Sequence, residues 1–254
     1  MFSSSIFPYW VAKKQILYYN ENSKKAGEYM KKRTKLRDRI LPDYTKGEEI
    51  VNTVTHIIGG GLGIAALTLC VIFSALRSNA WAVVSSAVYG ASLVILYAMS
   101  SIYHGLTAPT AKKVFQVLDH CAIYFLIAGT YTPVLLCSVR KVSPGWAWAM
   151  FGVVWGLAAL ATTLNAIDLD KYEKFSLACY IGMGWCIVIA AKVTIAAVPF
   201  MGLMYILIGG VAYTVGAVLF VLGEKIRYMH SAFHVFVLAG SILHFFGIIF
   251  YVIQ

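Results

Sequence analysis

The chain has 254 residues, of which 60% are hydrophobic and 13% are charged, and it carries a formal net charge of +10. The charged share is about half that of an ordinary soluble domain, and the apolar runs are too long for the core helices of such a domain. The composition therefore excludes a soluble globular protein and predicts a polytopic membrane protein.

The positive charge is concentrated ahead of the first apolar run. Eleven of the 21 Lys and Arg residues precede Val51, and most of the others lie in short loops between apolar stretches. This distribution is typical of membrane topology and of contact with anionic lipid headgroups, and it argues against a nucleic-acid partner. We interpret residues 1–47 as a basic cytoplasmic segment, either disordered or lying partly on the headgroups as a surface helix over residues 10–19.

Seven apolar stretches follow from Ile50 onward, and each is long enough to cross the hydrocarbon core as a helix. They are residues 50–76, 81–103, 114–137, 145–164, 175–197, 200–222 and 231–253. A count of six remains open if the fifth and sixth stretches form a re-entrant pair around Val198 and Pro199. Alternating strand patterns are absent, which argues against a β-barrel. The predicted fold class is an all-α membrane protein, a seven-transmembrane helix bundle over residues 48–254.

The charges of the connecting loops predict the orientation of this bundle. With the N-terminus inside, the cytoplasmic loops hold six basic residues: Lys112, Lys113, Lys171, Lys174, Lys225 and Arg227. The outer loops hold four: Arg77, Arg140, Lys141 and Lys192. Because basic residues are retained on the cytoplasmic side, the N-terminus is predicted to be cytoplasmic and the C-terminus outside.

Four ionisable residues fall at the ends of these spans. His104 ends the second span, Asp119 lies in the first turns of the third, and His230 and His234 begin the seventh. An even-numbered span ends on the side where an odd-numbered span begins, so all four are predicted near one membrane boundary in either orientation. His230 and His234 are four residues apart and share a helix face, as do Ser100 and His104.

This constellation predicts a zinc site. Three protein ligands plus water are the pattern of catalytic zinc, and neutral imidazole is a standard ligand. Asp119 is the one acidic residue inside an apolar span, where a carboxylate is costly unless a cation lies near it. We expect Zn²⁺ on His104, His230 and His234, with Asp119 as general base.

Ser100 is then expected to orient the attacking water or to stabilise an oxyanion. The reaction expected at membrane level is hydrolysis of a lipid amide or ester. An apolar cavity is expected to lead from the zinc toward the cytoplasm or the inner leaflet. A second interpretation makes Asp119 a fourth ligand, which is typical of structural zinc.

Other polar residues of the spans are expected to support the site or to stabilise the helices. His56 is a candidate hydrogen-bond donor to a zinc ligand, and His120 points about 100° from Asp119, so that at most one of the two faces the site squarely. His244 lies about 15 Å beyond His234 along its helix and is expected to make an interhelical hydrogen bond. Three residues near the start of the first span are expected to cap that helix or to pair with basic loop residues: Glu48, Glu49 and Asn52.

The motifs resemble those of a known family. The segments EEIVNTVTHIIGG, SSIYH, LDHCAIYFLIAGTYTP and HSAFHVFVLAGSILHFFG look like the hemolysin III branch of the progestin and adipoQ receptor family, over about residues 45–254. The resemblance implies a seven-helix bundle with zinc near its cytoplasmic face. The family's three zinc histidines fall on His104, His230 and His234, and its Ser and Asp fall on Ser100 and Asp119.

The resemblance also implies candidate functions. Adiponectin receptors of this family are linked to ceramide hydrolysis, and the wider superfamily with alkaline ceramidases has been proposed to consist of metal-dependent hydrolases. The bacterial branch is named for haemolytic activity. The resemblance therefore implies a multi-pass protein of the bacterial plasma membrane that acts on a ceramide-like lipid. The alternative is a non-catalytic zinc-containing sensor or a haemolysin-like membrane-active protein, and the sequence sets no oligomeric state.

Overall fold

The computed structural model describes residues 33–254, and seven long helices account for most of this part of the chain. Their bounds are α1 Lys46–Arg77, α2 Ala80–Gly105, α3 Pro109–Val142, α4 Pro144–Ile167, α5 Leu169–Ala197, α6 Phe200–Leu222 and α7 Met229–Tyr251. Each is long and apolar enough to cross a membrane, which confirms the seven predicted spans. The surface helix expected over residues 10–19 lies outside the described residues.

Two helices begin several residues before their apolar stretches because polar side chains cap them. At the start of α1, the Thr45 hydroxyl accepts a hydrogen bond from the Glu48 backbone N–H, and the Glu48 carboxylate accepts one from the Thr45 N–H, at 3.2 and 2.8 Å. This reciprocal capping box satisfies N–H groups that a helix start leaves free. At the start of α5, the Asp168 side chain accepts from the Lys171 N–H at 3.1 Å. Hydropathy alone does not predict that these polar first turns are helical.

Two other helices contain irregular turns. The α-helical part of α3 ends at Pro133 and continues as a π-helix over Val134–Val139. A 3₁₀ segment, Cys186–Ala190, interrupts α5. There the Tyr131 hydroxyl donates to the Gly184 carbonyl at 2.9 Å and accepts from the Ile187 N–H at 3.0 Å. Side-chain bonds of this kind make a helix break tolerable where lipid offers no partner.

Helix α3 is the central element of the bundle. Of its apolar window, 78% is buried within the protein, compared with 11% for α6. Sequential helices α1, α2 and α3 pack as neighbours, α6 packs along α7, and α7 returns against α1. This arrangement places the C-terminal end of α2 and the N-terminal ends of α1, α3 and α7 together, and we call this side the histidine end.

A short segment crosses the histidine end before α1 begins. Arg39 is buried, and its guanidinium donates to the Gln116 side chain of α3 at 2.9 Å and to the Asp170 carboxylate of α5 at 3.2 Å. Arg227, in the loop between α6 and α7, donates to the Asp43 backbone carbonyl and pairs with its carboxylate at 3.3 Å. Residues 39–45, which we call the strap, are therefore anchored to several elements of the bundle.

At Gly90, helix α2 lies directly against the backbone of α1. A Cβ atom there would lie 2.5 Å from Leu67 Cα, so Gly90→Ala is expected to force the two backbones apart and to destabilise the protein by about 1–3 kcal/mol. Gly156→Ala in α4 is the matched control, because nothing lies within 4 Å of its Cβ position. Thermal unfolding in detergent measures both variants, and equal melting temperatures would contradict the packing argument.

The predicted orientation is tested by single cysteines introduced at exposed positions near the two ends of the bundle. Lys225 lies in the loop at the histidine end, and Lys141 lies in the last turn of α3 at the opposite end. A membrane-impermeant thiol reagent applied to intact cells should label Lys141→Cys but not Lys225→Cys. The unmodified chain, whose five cysteines are free and buried or partly buried, supplies the background. Labelling of Lys225→Cys but not of Lys141→Cys would show that the protein has the opposite orientation.

Candidate metal centre

Three buried histidines meet at the histidine end. His104 is in the last turn of α2, and His230 and His234 are in the first turns of α7. One ring nitrogen from each of the three lies within 4.8 Å of the other two. The parity of the spans and the four-residue spacing therefore predicted three residues that the fold does bring together.

The chemistry and spacing of this group suit a metal ion. The three residues are 3%, 6% and 1% exposed, and His104 Nε2 is buried without a hydrogen-bond partner among the described residues. The Nε2 atoms of His230 and His234 lie 3.1 Å apart. Two nitrogens at 2.0–2.1 Å from one tetrahedral zinc would be separated by roughly 3.3 Å. The group could therefore bind a metal ion such as zinc with little rearrangement.

The other ring nitrogen of His104 has a charged partner from α1. Its Nδ1 donates to Glu49 Oε2 at 2.6 Å, while Lys112 Nζ pairs with Glu49 Oε1 at 2.9 Å. The sequence predicted the basic loop partner but missed the contact with His104. A usable signal was present, because Glu49, Asn52 and His56 follow at helical spacing on one face of α1.

Glu48 also contacts residues just before α7, in addition to capping its own helix. Its Oε1 accepts the backbone N–H of Tyr228 at 2.7 Å, and its Oε2 lies 3.3 Å from the Arg227 guanidinium. Tyr228 immediately precedes α7 and has a φ of 63°. A non-glycine residue with positive φ is uncommon and costs conformational energy, so surrounding contacts must hold it there.

Asp119 and Ser100 lie on the wall of an apolar cavity that also includes His230. Asp119 interacts electrostatically with His104, and the Ser100 side chain is buried. His120, the next residue on α3, lines the same cavity and also the vestibule. Both neighbours reach the cavity because it follows a wide arc of the α3 surface.

Two further histidines have packing roles. The His56 ring stacks on His234 with centroids 3.7 Å apart, and neither of its nitrogens has a hydrogen-bond partner within residues 33–254. The hydrogen-bond role expected for His56 is therefore wrong, and its contact with the site is through the ring face. His244 donates from Nε2 to the Ile206 carbonyl of α6 at 2.9 Å, which confirms the expected interhelical bond.

Two cavities of different polarity meet at the metal centre, the group formed by His104, His230 and His234. The apolar one has a volume of 150 Å³ and runs between α3, α5, α6 and α7 as far as Trp185 and His244. The polar one, which we call the vestibule, has a volume of 510 Å³ and lies between the strap and the loop from α6 to α7. The two cavities share three wall residues: His120, Phe220 and His230.

The two cavities differ in direction and in the polarity of their walls. The expected path was an apolar one toward the cytoplasm or the inner leaflet, and toward the loops of the histidine end the cavity is the vestibule, whose wall includes charged residues. The apolar cavity runs the other way, into the bundle. The difference arises because helix ends and loops carry charged groups such as Glu224 and Arg227, whereas the middle of each helix is apolar.

Tyr44 of the strap covers the centre from the vestibule side. Its ring centroid lies 4.8 Å from that of His230 and 5.7 Å from that of His104. Burial, together with the nearby Glu49 carboxylate, raises the pKa of the Tyr44 phenol, so the hydroxyl stays protonated and neutral. The sequence offered no signal for this residue, because it precedes the first helix and belongs to no periodic pattern.

The fold and the centre define a seven-helix integral membrane protein with a buried three-histidine group near one membrane boundary. The chain matches the family described as Haemolysin-III related over residues 44–245. It is 41% identical over 206 residues to Hemolysin-3 of Bacillus cereus, which covers 81% of this chain and 92% of the relative. The chain therefore belongs to the haemolysin-III related family, as the motifs indicated.

Other relatives agree with this assignment. The Hemolysin-3 homolog of Bacillus subtilis is 36% identical over 211 residues, covering 83% of this chain and 97% of the relative. The human Monocyte to macrophage differentiation factor is 27% identical over 225 residues, covering 87% and 90%. With the seven apolar helices, the bacterial relatives indicate a multi-pass protein of the plasma membrane.

Metal binding by the histidines has a direct test. Elemental analysis of the purified chain is expected to find one zinc ion per chain, and His230→Ala or His234→Ala is expected to lose most of it, because two imidazoles hold a buried ion poorly. His244→Ala is the control, since this residue lies about 15 Å further along the same helix. Unchanged zinc content in both His230→Ala and His234→Ala would rule out the assignment.

Proposed function

We propose that this chain is a zinc-dependent membrane hydrolase that cleaves a lipid amide or ester. The observation that supports the proposal most strongly is the buried group of His104, His230 and His234, which opens onto a cavity also lined by Asp119 and Ser100. Three protein ligands leave the fourth tetrahedral position open, as catalytic zinc sites do. A structural site would usually be closed by a fourth protein ligand.

The chemistry that zinc supplies when bound is Lewis acidity and a pKa of water lowered to about 7. His104, His230 and His234 would hold the ion as neutral imidazoles. Asp119 accepts the proton of the attacking water and passes it to the leaving amine or alkoxide, which is the role of a general base followed by a general acid. Ser100 donates its hydroxyl hydrogen to the negative charge that develops on the carbonyl oxygen.

The cavities support a lipid as the substrate. The apolar cavity starts at Asp119 and Ser100 and extends along the helices, so that an acyl chain lying in it would present its carbonyl carbon to the centre. The polar half of the lipid would then face the vestibule, where Tyr44 limits the access of water to the histidines. Ceramide, with an acyl chain in amide linkage to a long-chain base whose hydroxyl groups lie next to the amide, belongs to this substrate class.

The membrane surface supplies a second expected partner. With the N-terminus in the cytoplasm, the histidine end faces the inner leaflet, whose anionic headgroups attract the basic residues of the N-terminal segment.

The role of Asp119 separates catalysis from metal binding. Asp119→Asn is expected to retain zinc and to lower hydrolysis of a short-chain fluorescent ceramide about 10²- to 10⁴-fold, the range typical of losing a general base. Asp38→Asn, which changes an exposed carboxylate that lines neither cavity, is the matched control and should keep full activity. Loss of zinc in Asp119→Asn would make this residue a ligand and favour a structural site.

The names of the bacterial relatives favour one other candidate, a haemolysin-like membrane-active protein. This function does not require the proton transfer assigned to Asp119. Dye release from liposomes measures it directly, with wild type and Asp119→Asn compared in the same preparation. Equal dye release by both variants, with no hydrolysis by either, would favour this candidate over the hydrolase.

A further inference from the structure

Helix α1 contributes none of the three histidines, yet its first turns contact His104, His234 and the residues on either side of His230. Glu48, Glu49, Asn52 and His56 are separated by one, three and four residues, which places them along one side of the helix. Each of them contacts either a histidine of the centre or the backbone and side chains at the start of α7. The face of α1 that points toward the centre is thus polar in a helix that is otherwise apolar.

Glu49 determines which nitrogen of His104 is available. Because its carboxylate accepts a hydrogen bond at 2.6 Å from Nδ1, that nitrogen carries the proton and Nε2 keeps its lone pair. Nε2 is the buried nitrogen without a partner. Lys112 pairs with the second oxygen of the carboxylate and also donates to the Tyr103 carbonyl at 3.0 Å, so both the carboxylate and the end of α2 are anchored.

Glu48 acts on the helix that carries the other two histidines. Its carboxylate accepts the Tyr228 N–H at 2.7 Å, two residues before His230. Tyr228 has a positive φ, so this hydrogen bond stabilises a backbone conformation that the residue would otherwise avoid. That conformation sets the direction in which α7 starts and therefore where His230 and His234 point.

Asn52 and His56 continue the same support further along α1. Asn52 Oδ1 accepts from the Ser231 hydroxyl at 2.6 Å, and its Nδ2 lies 3.4 Å from His104 Nδ1, so this residue contacts both ligand-bearing helices. His56 stacks on the His234 ring at 3.7 Å. These contacts restrict the two helices at the depth of the centre.

We propose that the Glu48–Glu49 pair is the positioning device of the metal centre, with one carboxylate assigned to each ligand-bearing helix. Glu49 orients His104 on α2, and Glu48 orients the start of α7 with His230 and His234. Partners of this kind usually contribute about 10- to 100-fold to metal affinity. The inference rests on the metal centre of the proposed function and is independent of whether the chain hydrolyses a lipid.

Titration of the full-length chain in detergent with Co²⁺ tests the role of Glu49, because both affinity and the visible absorption of bound cobalt report ligand geometry. Glu49→Gln should weaken Co²⁺ binding about 10- to 100-fold and shift the absorption spectrum, and Glu49→Asp should restore part of the affinity. Glu224→Gln is the control and should match wild type. An unchanged affinity and spectrum in Glu49→Gln would overturn the proposal.

A double variant distinguishes positioning from general destabilisation. If Glu49 acts through His104, then Glu49→Gln should cause no further loss of Co²⁺ affinity in a His104→Ala background. Equal losses in both backgrounds would show that Glu49 acts on the fold as a whole and would overturn its assigned role. Absence of Co²⁺ and Zn²⁺ binding in wild type would overturn this inference together with the proposed function.

The role of Glu48 is separated from its helix cap by a second pair of variants. Thr45→Ala removes the capping partner but leaves the contact with Tyr228, whereas Glu48→Ala removes both. Glu48→Ala should weaken Co²⁺ binding at least tenfold relative to Thr45→Ala. Equal affinities in the two variants would show that Glu48 acts only as a helix cap, and would overturn its proposed role in positioning α7.

Discussion

Every polar group inside this bundle must find its partner within the protein, because lipid offers none. The centre concentrates this constraint, since His56, His104, His230 and His234 are all buried within a few ångströms of one another. Three of them, His104, His230 and His234, each place a ring nitrogen within 4.8 Å of the other two. A cation bound between these nitrogens would give each of them a partner.

The first turn of α1 shows how the fold meets the same constraint around the centre. Two adjacent carboxylates would be costly side by side in an apolar helix, but each has a cation or N–H partner: Glu48 with Arg227 and Tyr228, and Glu49 with Lys112. These partners come from the first turn of α3 and from the loop between α6 and α7. The charged groups at the helix ends therefore connect elements that are far apart in the chain and hold the ligand-bearing helices in register.

The change from polar to apolar surroundings across the centre has a similar origin. On the loop side, the strap and the charged loop residues form the vestibule, and on the other side the helices present Ile, Leu and aromatic side chains. An amphipathic molecule placed across the three shared wall residues would find a matching environment for each of its halves. This match connects the architecture to a lipid substrate more directly than the histidines alone.

Much of this protein was determined by local sequence patterns. The lengths of the apolar runs predicted all seven helices, and the order of the spans brought His104, His230 and His234 to one boundary. These predictions succeed because hydrophobic length and helical spacing are properties of one segment at a time. For the same reason, the predicted starts of α1 and α5 lie several residues after the observed ones. Polar residues in the capped first turns lower the hydropathy of a segment that is still helical.

Only the tertiary structure decided the contacts between segments. That Glu49 bonds Nδ1 of His104, that His56 stacks on His234, and that Tyr44 covers the centre all depend on how helices rotate and cross when they pack. The polarity of the two cavities likewise depends on which loops fold over which helix ends. The sequence by itself determined the helices and the shared boundary at which their histidines meet, and packing decided the partners of each histidine because these contacts join residues far apart in the chain, such as His56 and His234.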